Sequence, residues 1–244
     1  MAIKIIDDTI LQDIAVSIQS KDGGGKMEAT EMAERIDAIP SATQIVDGTI
    51  TEYIDFGVQS IRYNVFSNLA SLTKVVIPNV SIISPSAFGY TSNLKYLECQ
   101  STTTIGDRAF QFSLLNDVDV YNFPECLSIG SESFGRMGSG TRKFYFPKLT
   151  NIGADAFRTT AGGIFHIVLK KQAALSSYML SSFLKHTYYV PQRYFTWYTT
   201  ATNWSAAYAA YPNSIKTIED NIDYLVRLGY DREELLREEP EEAS

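Results

Sequence analysis

The stretch NIGADAF (residues 151–157) decides the fold, because two close variants precede it: TIGDRAF (104–110) and SIGSESF (128–134). The phrase contains no obvious chemistry, so its repetition indicates an architecture. Aligned on its phenylalanine, the pattern extends to Phe66, Phe88, Phe110, Phe134 and Phe157. An isoleucine stands five residues before each of them, at Ile61, Ile83, Ile105, Ile129 and Ile152. A weaker sixth unit fits one step further along, with Lys170, Leu175 and Leu180.

A short alternating run lies ahead of most repeat phrases. These runs are KVVIP (74–78), YLECQ (96–100), KFYFP (143–147), HIVLK (166–170) and TYYVP (187–191). Alternation rich in β-branched and aromatic residues predicts strands, and a following proline ends a strand because it cannot donate to the ladder. In the longer third run, DVDVYNFP (117–124), we expect Val118 and Val120 to face inward, with a bulge after them.

Each unit is therefore predicted to be a strand, a turn, an isoleucine segment, a phenylalanine and a return. One unit cannot bury its apolar side alone, whereas stacked units form one continuous core. The repeat isoleucine and phenylalanine of each unit are predicted to face this core. Gly106, Gly130 and Gly153 are expected to allow a tight turn or a close approach of successive coils. Cys99 and Cys126 are interpreted as small core hydrophobes, not nucleophiles.

The period and pattern resemble leucine-rich repeats of the BspA type, which occur in bacterial surface proteins and in phages and prophages of gut bacteria. The phrases that carry the resemblance are SIISPSAFGYTSNLKYLE (81–98), TIGDRAFQFSLLNDVDV (104–120), SIGSESF and NIGADAF. The resemblance covers roughly residues 45 to 191. It implies an α/β leucine-rich-repeat solenoid of about six repeats of 22 to 24 residues. That family is a scaffold with many partners, so function is implied only as binding.

The first 40 residues differ from the repeats. Ile10, Ile14 and Ile18 have helical spacing, a glycine loop follows, and a second helical pattern ends at Pro40. This helical pair is similar to the start of tail-associated proteins of phages and prophages from Gram-positive gut bacteria. The matching features are Ile14-Ala15, Ile18, Lys21, the glycines, Lys26-Met27, Glu31-Met32 and Ile36. The resemblance implies attachment to other tail proteins of a virion. A helical cap over the first repeat is the alternative, and both roles can coexist.

The chain is expected to contain an N-terminal helical attachment or capping segment (1–40), the solenoid (41–191), a C-terminal cap (192–220) and a helical acidic tail (221–244). Trp197 and Trp204 are interpreted as core residues of the cap. In the tail, Ile222, Leu225 and Leu228 have helical spacing, and this helix is predicted to pack on the solenoid or on a partner.

Composition excludes several classes of function. The formal net charge of -7 argues against nucleic-acid binding, which needs a basic surface. No run approaches the ~20 apolar residues of a membrane span, and Asp7 and Asp8 interrupt the apolar region that a signal peptide would need. His166 and His186 do not stand in a metal-ligand spacing, and no nucleophile motif is present. We therefore predict no catalytic residue, no metal and no cofactor.

The outward strand positions are the candidate binding surface. The predicted contact residues are Tyr96, Glu98, Asp119, Lys143, Tyr145, His166 and Tyr189. Solenoids commonly bind partners through such a surface, and aromatics between opposite charges suit a host-surface protein or glycan. An ordinary solvated sheet face is the alternative. The sequence thus predicts a non-enzymatic, tail-associated virion protein that recognises a host, or alternatively an adhesin at the bacterial cell surface.

Overall fold

The repeats form a parallel stack of coils with strands on two sides. The computed structural model describes residues 48–113, 115, 120–159, 163–176 and 186–238. The N-terminal segment, predicted as a helical pair, lies outside the described residues. On the first side, the strands are β1 Glu52–Ile54, β3 Lys74–Val76, β5 Tyr96–Glu98, β7 Val120–Asn122, β9 Thr141–Phe146, β11 Ile164–Leu169, β13 His186–Val190 and β14 Ile215–Thr217. On the second side, they are β2 Ser60–Ile61, β4 Ile82–Ile83, β6 Thr104–Ile105, β8 Ser128–Ile129, β10 Asn151–Ile152 and β12 Ala174–Leu175.

All strand pairs in the described residues are parallel, and each pair joins strands of successive coils on the same side. The first side contains a three-stranded sheet, β1-β3-β5, and a five-stranded sheet, β7-β9-β11-β13-β14. The second side is a six-stranded sheet of two-residue strands, β2-β4-β6-β8-β10-β12. Its register pairs Ile61 with Ile83, Ile83 with Ile105 and Ile105 with Ile129, and the series ends at Leu175. The predicted isoleucine segments are thus strands of a second sheet.

The repeat phenylalanines form a column through the core. Successive ring centres from Phe66 to Phe157 are 5.2, 5.3, 5.3 and 5.6 Å apart, and the rings are within 6° of parallel. All five rings are buried. The prediction that these residues face inward is confirmed. The spacing is close to the ~4.8 Å between paired strands, since each coil adds one ring and one strand.

The repeat glycines lie where successive backbones touch. A Cβ on Gly130 would lie 2.5 Å from the backbone nitrogen of Asp107, and a Cβ on Gly153 would lie 2.4 Å from the carbonyl carbon of Gly130. Such distances are too short for any side chain. Close approach of coils is therefore the reason for glycine at these positions, and one of the two predicted roles is confirmed.

The return segments are turns. Residues two before and two after the repeat phenylalanine adopt left-handed backbone angles, as at Asn64 (φ 59°), Asn68 (φ 63°), Arg108 (φ 56°) and Phe112 (φ 57°). These angles interrupt a helix, so the described part of the repeats contains no helical return. Backbone N–H groups here donate to the next coil, for example Phe88 to Ala109 at 2.8 Å. Among the described residues, the expected α/β character therefore comes from helices that follow the repeats.

The third repeat strand differs from its predicted register. Val120 pairs with Lys143, and Tyr121 pairs with Phe144. Tyr121 and Phe123 face the core, and Val120 is on the opposite side of the sheet. The prediction of an inward Val120 is wrong, because the alternation continues from Phe123 with no bulge between the two residues. Val118 lies outside the described residues.

Within residues 186–238, four α-helices follow the repeats: α1 Gln192–Thr200, α2 Trp204–Ala210, α3 Ile222–Arg227 and α4 Arg232–Leu236. Single 3-10 turns occupy Pro212–Ser214 and Glu219–Asn221. Trp204 is fully buried, donates from Nε1 to the carbonyl of Ala173 at 2.7 Å, and meets the Tyr188 ring edge-on. The predicted role of Trp204 in the core of the cap is confirmed, whereas Trp197 is only partly buried. The segment from Ile218 to Glu238, called the C-terminal tail below, packs on the five-stranded sheet.

Candidate binding surface

The outer surface of the three-stranded sheet carries two rows of side chains. One row is Glu52, Lys74 and Tyr96, and the other is Ile54, Val76 and Glu98. Within the first row, Lys74 forms an ion pair with Glu52 at 3.4 Å. The Tyr96 hydroxyl donates to the Glu98 carboxylate at 3.1 Å, which joins the two rows. Acid, base, aromatic and aliphatic groups thus lie within three adjacent strands.

Most of this surface is open to solvent, although Val76 at its centre is buried. The Tyr96 side chain is 48% exposed, and Ile54 and the nearby Phe56 are also exposed large hydrophobic residues. Exposure of an aromatic ring on a rigid sheet suits recognition, because such a ring provides contact area with little loss of side-chain freedom. Among the predicted contact residues, Tyr96 and Glu98 are the two that the structure places on this open part.

The outer surface of the five-stranded sheet is covered. Tyr145 is 5% exposed and Tyr189 is 1% exposed, because both pack against Ile218, Leu225 and Leu235 of the C-terminal tail. The expectation that Lys143, Tyr145, His166 and Tyr189 are exposed is wrong. Their side chains do point away from the main core, as the alternation predicts, but the tail forms a second core over them. Asp119 lies outside the described residues.

Buried polar groups hold the C-terminal tail on the sheet. The Lys143 ammonium donates to the carbonyl of Leu228 at 2.8 Å, and the Tyr145 hydroxyl donates to the carbonyl of Glu234 at 3.0 Å. The Tyr230 hydroxyl donates back to the carbonyl of His166 at 2.6 Å. Lys170 donates to three carbonyls at the end of helix α4, those of Glu234, Leu235 and Arg237. A cation at this place also interacts favourably with the helix dipole.

His166 lies between the sheet and the tail. Its Nδ1 is 3.2 Å from the Tyr189 hydroxyl, and the Tyr224 ring meets its imidazole edge-on at 5.8 Å. Burial, with Lys216 and Lys143 nearby, lowers the pKa of His166 to about 4. The imidazole is therefore neutral at pH 7. Its environment is that of a buried structural group.

The first strand was missing from the predicted surface. Glu52 and Ile54 belong to β1, but the run ITEYIDF (50–56) lacks the proline that ends the later strands. Its period-two alternation is the signal that could have identified it, since Tyr53 faces the core and its neighbours face outward. Tyr53 packs on Phe66 at 4.6 Å and begins the aromatic column.

Both cysteines are buried in the core. Burial raises the pKa of the Cys99 thiol and of the Cys126 thiol to about 12. Each is therefore a neutral thiol near pH 7, and a neutral thiol is a weak nucleophile. Across the residues that the structure describes, no group of three or more His, Cys, Asp or Glu side chains could hold a metal ion. In the same part of the chain, no helix has the length and apolar character to cross a bilayer.

A stack of parallel coils with an aromatic column and two strand-bearing sides defines a repeat solenoid. The family model for the BspA type leucine rich repeat region matches residues 51–185 in six copies. Because the match spans more than half of the 244 residues, the chain belongs to this family. No curated protein matches the chain, and no solved structure does. The matched residues do not include the first 40, whose similarity to phage tail proteins stays a prediction.

Proposed function

We propose that the protein is a non-enzymatic binding protein of the adhesin type, whose recognition surface is the outer surface of the three-stranded sheet. One observation carries the proposal: the C-terminal tail covers the five-stranded sheet, while the equivalent surface around Tyr96 is open. Membership of the BspA-type repeat family supports a binding role at the bacterial cell surface.

The chemistry of this surface favours a partner with both polar and apolar groups. Tyr96 and Ile54 offer apolar area, and Lys74 and Glu98 offer charges of opposite sign. The ion pair and the tyrosine–glutamate hydrogen bond hold these side chains in place before binding, which reduces the entropy lost on association. A host-surface protein or the glycan of a glycoprotein has this mixed character.

The tail-associated virion hypothesis rests on residues 1–40 alone. Under it, the N-terminal segment joins other tail proteins and the solenoid contacts a bacterial cell. Under the adhesin hypothesis, the same sheet surface contacts an animal cell. The two hypotheses therefore differ in the type of cell that the protein binds.

A cell-binding experiment tests the proposal. Fluorescently labelled full-length protein is titrated onto cultured intestinal epithelial cells and onto Gram-positive gut bacteria, and bound protein is measured by flow cytometry. We expect saturable binding to epithelial cells. A double variant, Lys74→Ala with Tyr96→Ala, should weaken that binding by roughly tenfold or more, as expected when a central aromatic contact is removed.

Tyr63→Ala is the matched control, because Tyr63 is an exposed tyrosine on a turn outside the sheet surface. It should bind as the unmodified protein does. Binding to bacteria alone would support the virion hypothesis instead. Absence of binding to either cell type, or equal binding by the folded double variant, would contradict the proposed surface.

A further inference from the structure

Away from the sheet surfaces, the turns of successive coils bring aromatic and arginine side chains together. Tyr90 and Phe112 each stand two residues after a repeat phenylalanine, and their rings stack at 4.6 Å with 15° between the planes. At the next equivalent position, the guanidinium carbon of Arg136 lies 5.4 Å from the centre of the Phe112 ring. Tyr90 is among the exposed large hydrophobic residues. One column thus contains tyrosine, phenylalanine and arginine in stacking contact.

A second column runs beside the first. Arg108 donates from Nε to the Glu132 carboxylate at 2.8 Å, and Arg158 approaches the same carboxylate at 3.8 Å. The Arg108 and Arg158 side chains are 61% and 37% exposed, whereas that of Glu132 is 16% exposed. The Glu132 carboxylate is therefore recessed relative to the two guanidinium groups. We call the six residues of the two columns the arginine–aromatic ridge: Tyr90, Arg108, Phe112, Glu132, Arg136 and Arg158.

Glu132 positions the two arginines without using up their donors. Its bond to Arg108 is the main cause that lowers the pKa of Glu132, so the carboxylate stays charged. Arg108 contributes only Nε to this bond, and Arg158 lies beyond hydrogen-bond distance of both Glu132 and Asp155. Both guanidinium groups can still donate to an incoming acceptor. Paired N–H groups of arginine match the two oxygens of a carboxylate.

The residue types on the ridge are unusual for their backbone. Tyr90, Phe112 and Arg136 adopt left-handed φ angles of 62°, 57° and 58°. In the first coil the equivalent residue is Asn68, a residue type that tolerates this conformation well. Large side chains are disfavoured there, so local backbone preference does not account for them. Their stacking and exposure point to a use of this edge of the solenoid.

We infer that the arginine–aromatic ridge binds an acidic carbohydrate, with Arg108 and Arg158 receiving the carboxylate and Tyr90 with Phe112 contacting the apolar face of the sugar ring. The turns that carry Tyr90 and Arg108 belong to adjacent coils, which are joined by backbone hydrogen bonds of 2.8 Å from Phe88 to Ala109 and from Tyr90 to Gln111. A uronic or sialic acid carries its carboxylate on a rigid ring that also has a C–H face. An acidic peptide carries its carboxylates on flexible stems, which lose more freedom on binding.

Isothermal titration of the full chain tests this inference. The probes are trigalacturonate, sialyllactose, lactose as the neutral sugar, and hexaglutamate as the acidic peptide. We expect at least one acidic sugar to bind and lactose not to bind, and the two acidic sugars distinguish a uronate from a sialate source. Arg108→Ala and Tyr90→Ala should each weaken binding at least tenfold.

Two controls separate the ridge from other surfaces. Arg193→Ala removes another arginine that lies over an aromatic ring, 4.9 Å from Tyr194 on helix α1, and should leave sugar binding unchanged. Leu127→Ala removes an exposed apolar side chain outside both proposed surfaces and should also leave sugar binding unchanged. Equal binding of lactose, preference for hexaglutamate, no binding of either acidic sugar, or full binding by folded Arg108→Ala would each overturn the inference.

Discussion

The outer surfaces of the three-stranded and five-stranded sheets follow the same alternation of side chains. The surface of the three-stranded sheet is largely exposed, whereas that of the five-stranded sheet is buried in a second hydrophobic core. Lys74 and Lys143 illustrate the difference, since each stands four residues before the proline that follows its strand. Lys74 pairs with Glu52 at the surface, whereas Lys143 is buried and bonded to the C-terminal tail. Alternation thus determines which side of the sheet a residue takes. Whether an outward residue is exposed to solvent depends on whether the C-terminal tail, which lies outside the repeats, covers it.

Side-chain composition explains why the tail covers the five-stranded sheet. The outer surface there carries Tyr145, Val168 and Tyr189, which provide apolar area for Leu225 and Leu235. On the three-stranded sheet, three of the six outward residues are charged, namely Glu52, Lys74 and Glu98. Burying those charges under an apolar helix would leave them without water or new partners, at a high desolvation penalty.

The largest loss of stability should come from changes in the column of repeat phenylalanines, which runs beneath both the three-stranded and the five-stranded sheet. Phe110→Ala removes a fully buried ring stacked between Phe88 and Phe134, and Phe157→Ala removes its equivalent beneath the five-stranded sheet. Each should lower the free energy of unfolding by ~3–5 kcal/mol, because a cavity replaces the ring. Urea unfolding monitored by circular dichroism measures the loss. Losses under about 1 kcal/mol would show that the column is not a main source of stability.

The inner column was predictable from sequence because stacking imposes a strict period. Phe110 and Gly130 repeat in register, since each must meet its equivalent in the next coil. The backbone conformation of the return was not predictable on these grounds, because the left-handed angles occur at Arg108 and Phe112, which are not residue types that signal such angles. Val120 was misassigned because the alternation of DVDV (117–120) in the sequence is out of phase with Tyr121 and Phe123, which face the core.

The next largest effect compares two tyrosines. Tyr145→Ala should cost ~3 kcal/mol or more, because the ring is buried and its hydroxyl bonds to the carbonyl of Glu234. Tyr96→Ala should change stability by no more than ~0.5 kcal/mol, because its ring is exposed. Thermal and urea melts of both variants give the comparison. Similar losses for the two would mean that the C-terminal tail does not cover the five-stranded sheet in solution.

For the candidate binding surface, the sequence predicted which side of the strands the residues occupy but not which of them are exposed. Within the described residues, the predicted outward positions from Tyr96 to Tyr189 do lie on one side of the strands, and the prediction for Asp119 stays untested. The C-terminal tail was predicted to pack either on the solenoid or on a partner. The helical spacing around Leu225 shows an apolar side but does not indicate which surface that side contacts. Tertiary packing decided it: Lys170, which replaces a strand-ending proline, supplies the ammonium that holds the end of helix α4.

A moderate effect should appear with pH. The pKa of His166 is about 4 in the folded protein against an ordinary value of 6.5. Above pH 6.5 the imidazole is neutral in both states, and its contribution to stability is complete. As the pH falls from 6.5 toward 4, the unfolded chain takes up a proton that the folded protein does not, so the free energy of unfolding decreases. At ~1.4 kcal/mol per pH unit, the loss is on the order of 2 kcal/mol by pH ~4.5.

His166→Gln isolates this contribution, since other groups also titrate in the same range. The amide can keep a hydrogen bond to the Tyr189 hydroxyl but cannot take up a proton near neutral pH. Urea unfolding at several pH values between about 7 and 4.5 should show a shallower decline for the variant. Parallel declines for the two proteins would place the pH dependence elsewhere, in the half of the molecule that the tail does not cover or in the carboxylates.

The smallest difference should separate the two equivalent lysines. Lys143→Met keeps much of the buried stem but removes the ammonium, which leaves the carbonyl of Leu228 without this donor. Its expected cost is ~1 kcal/mol, the typical net value of such a bond. Lys74→Met breaks only a surface ion pair at 3.4 Å, and exposed pairs contribute ~0.5 kcal/mol or less. Hydrogen exchange at the amide of Leu225 should therefore accelerate in Lys143→Met and stay unchanged in Lys74→Met, because only Lys143 touches the tail. An equal response in both variants would mean that the tail is sensitive to the charge of the whole strand side, and not to this one bond.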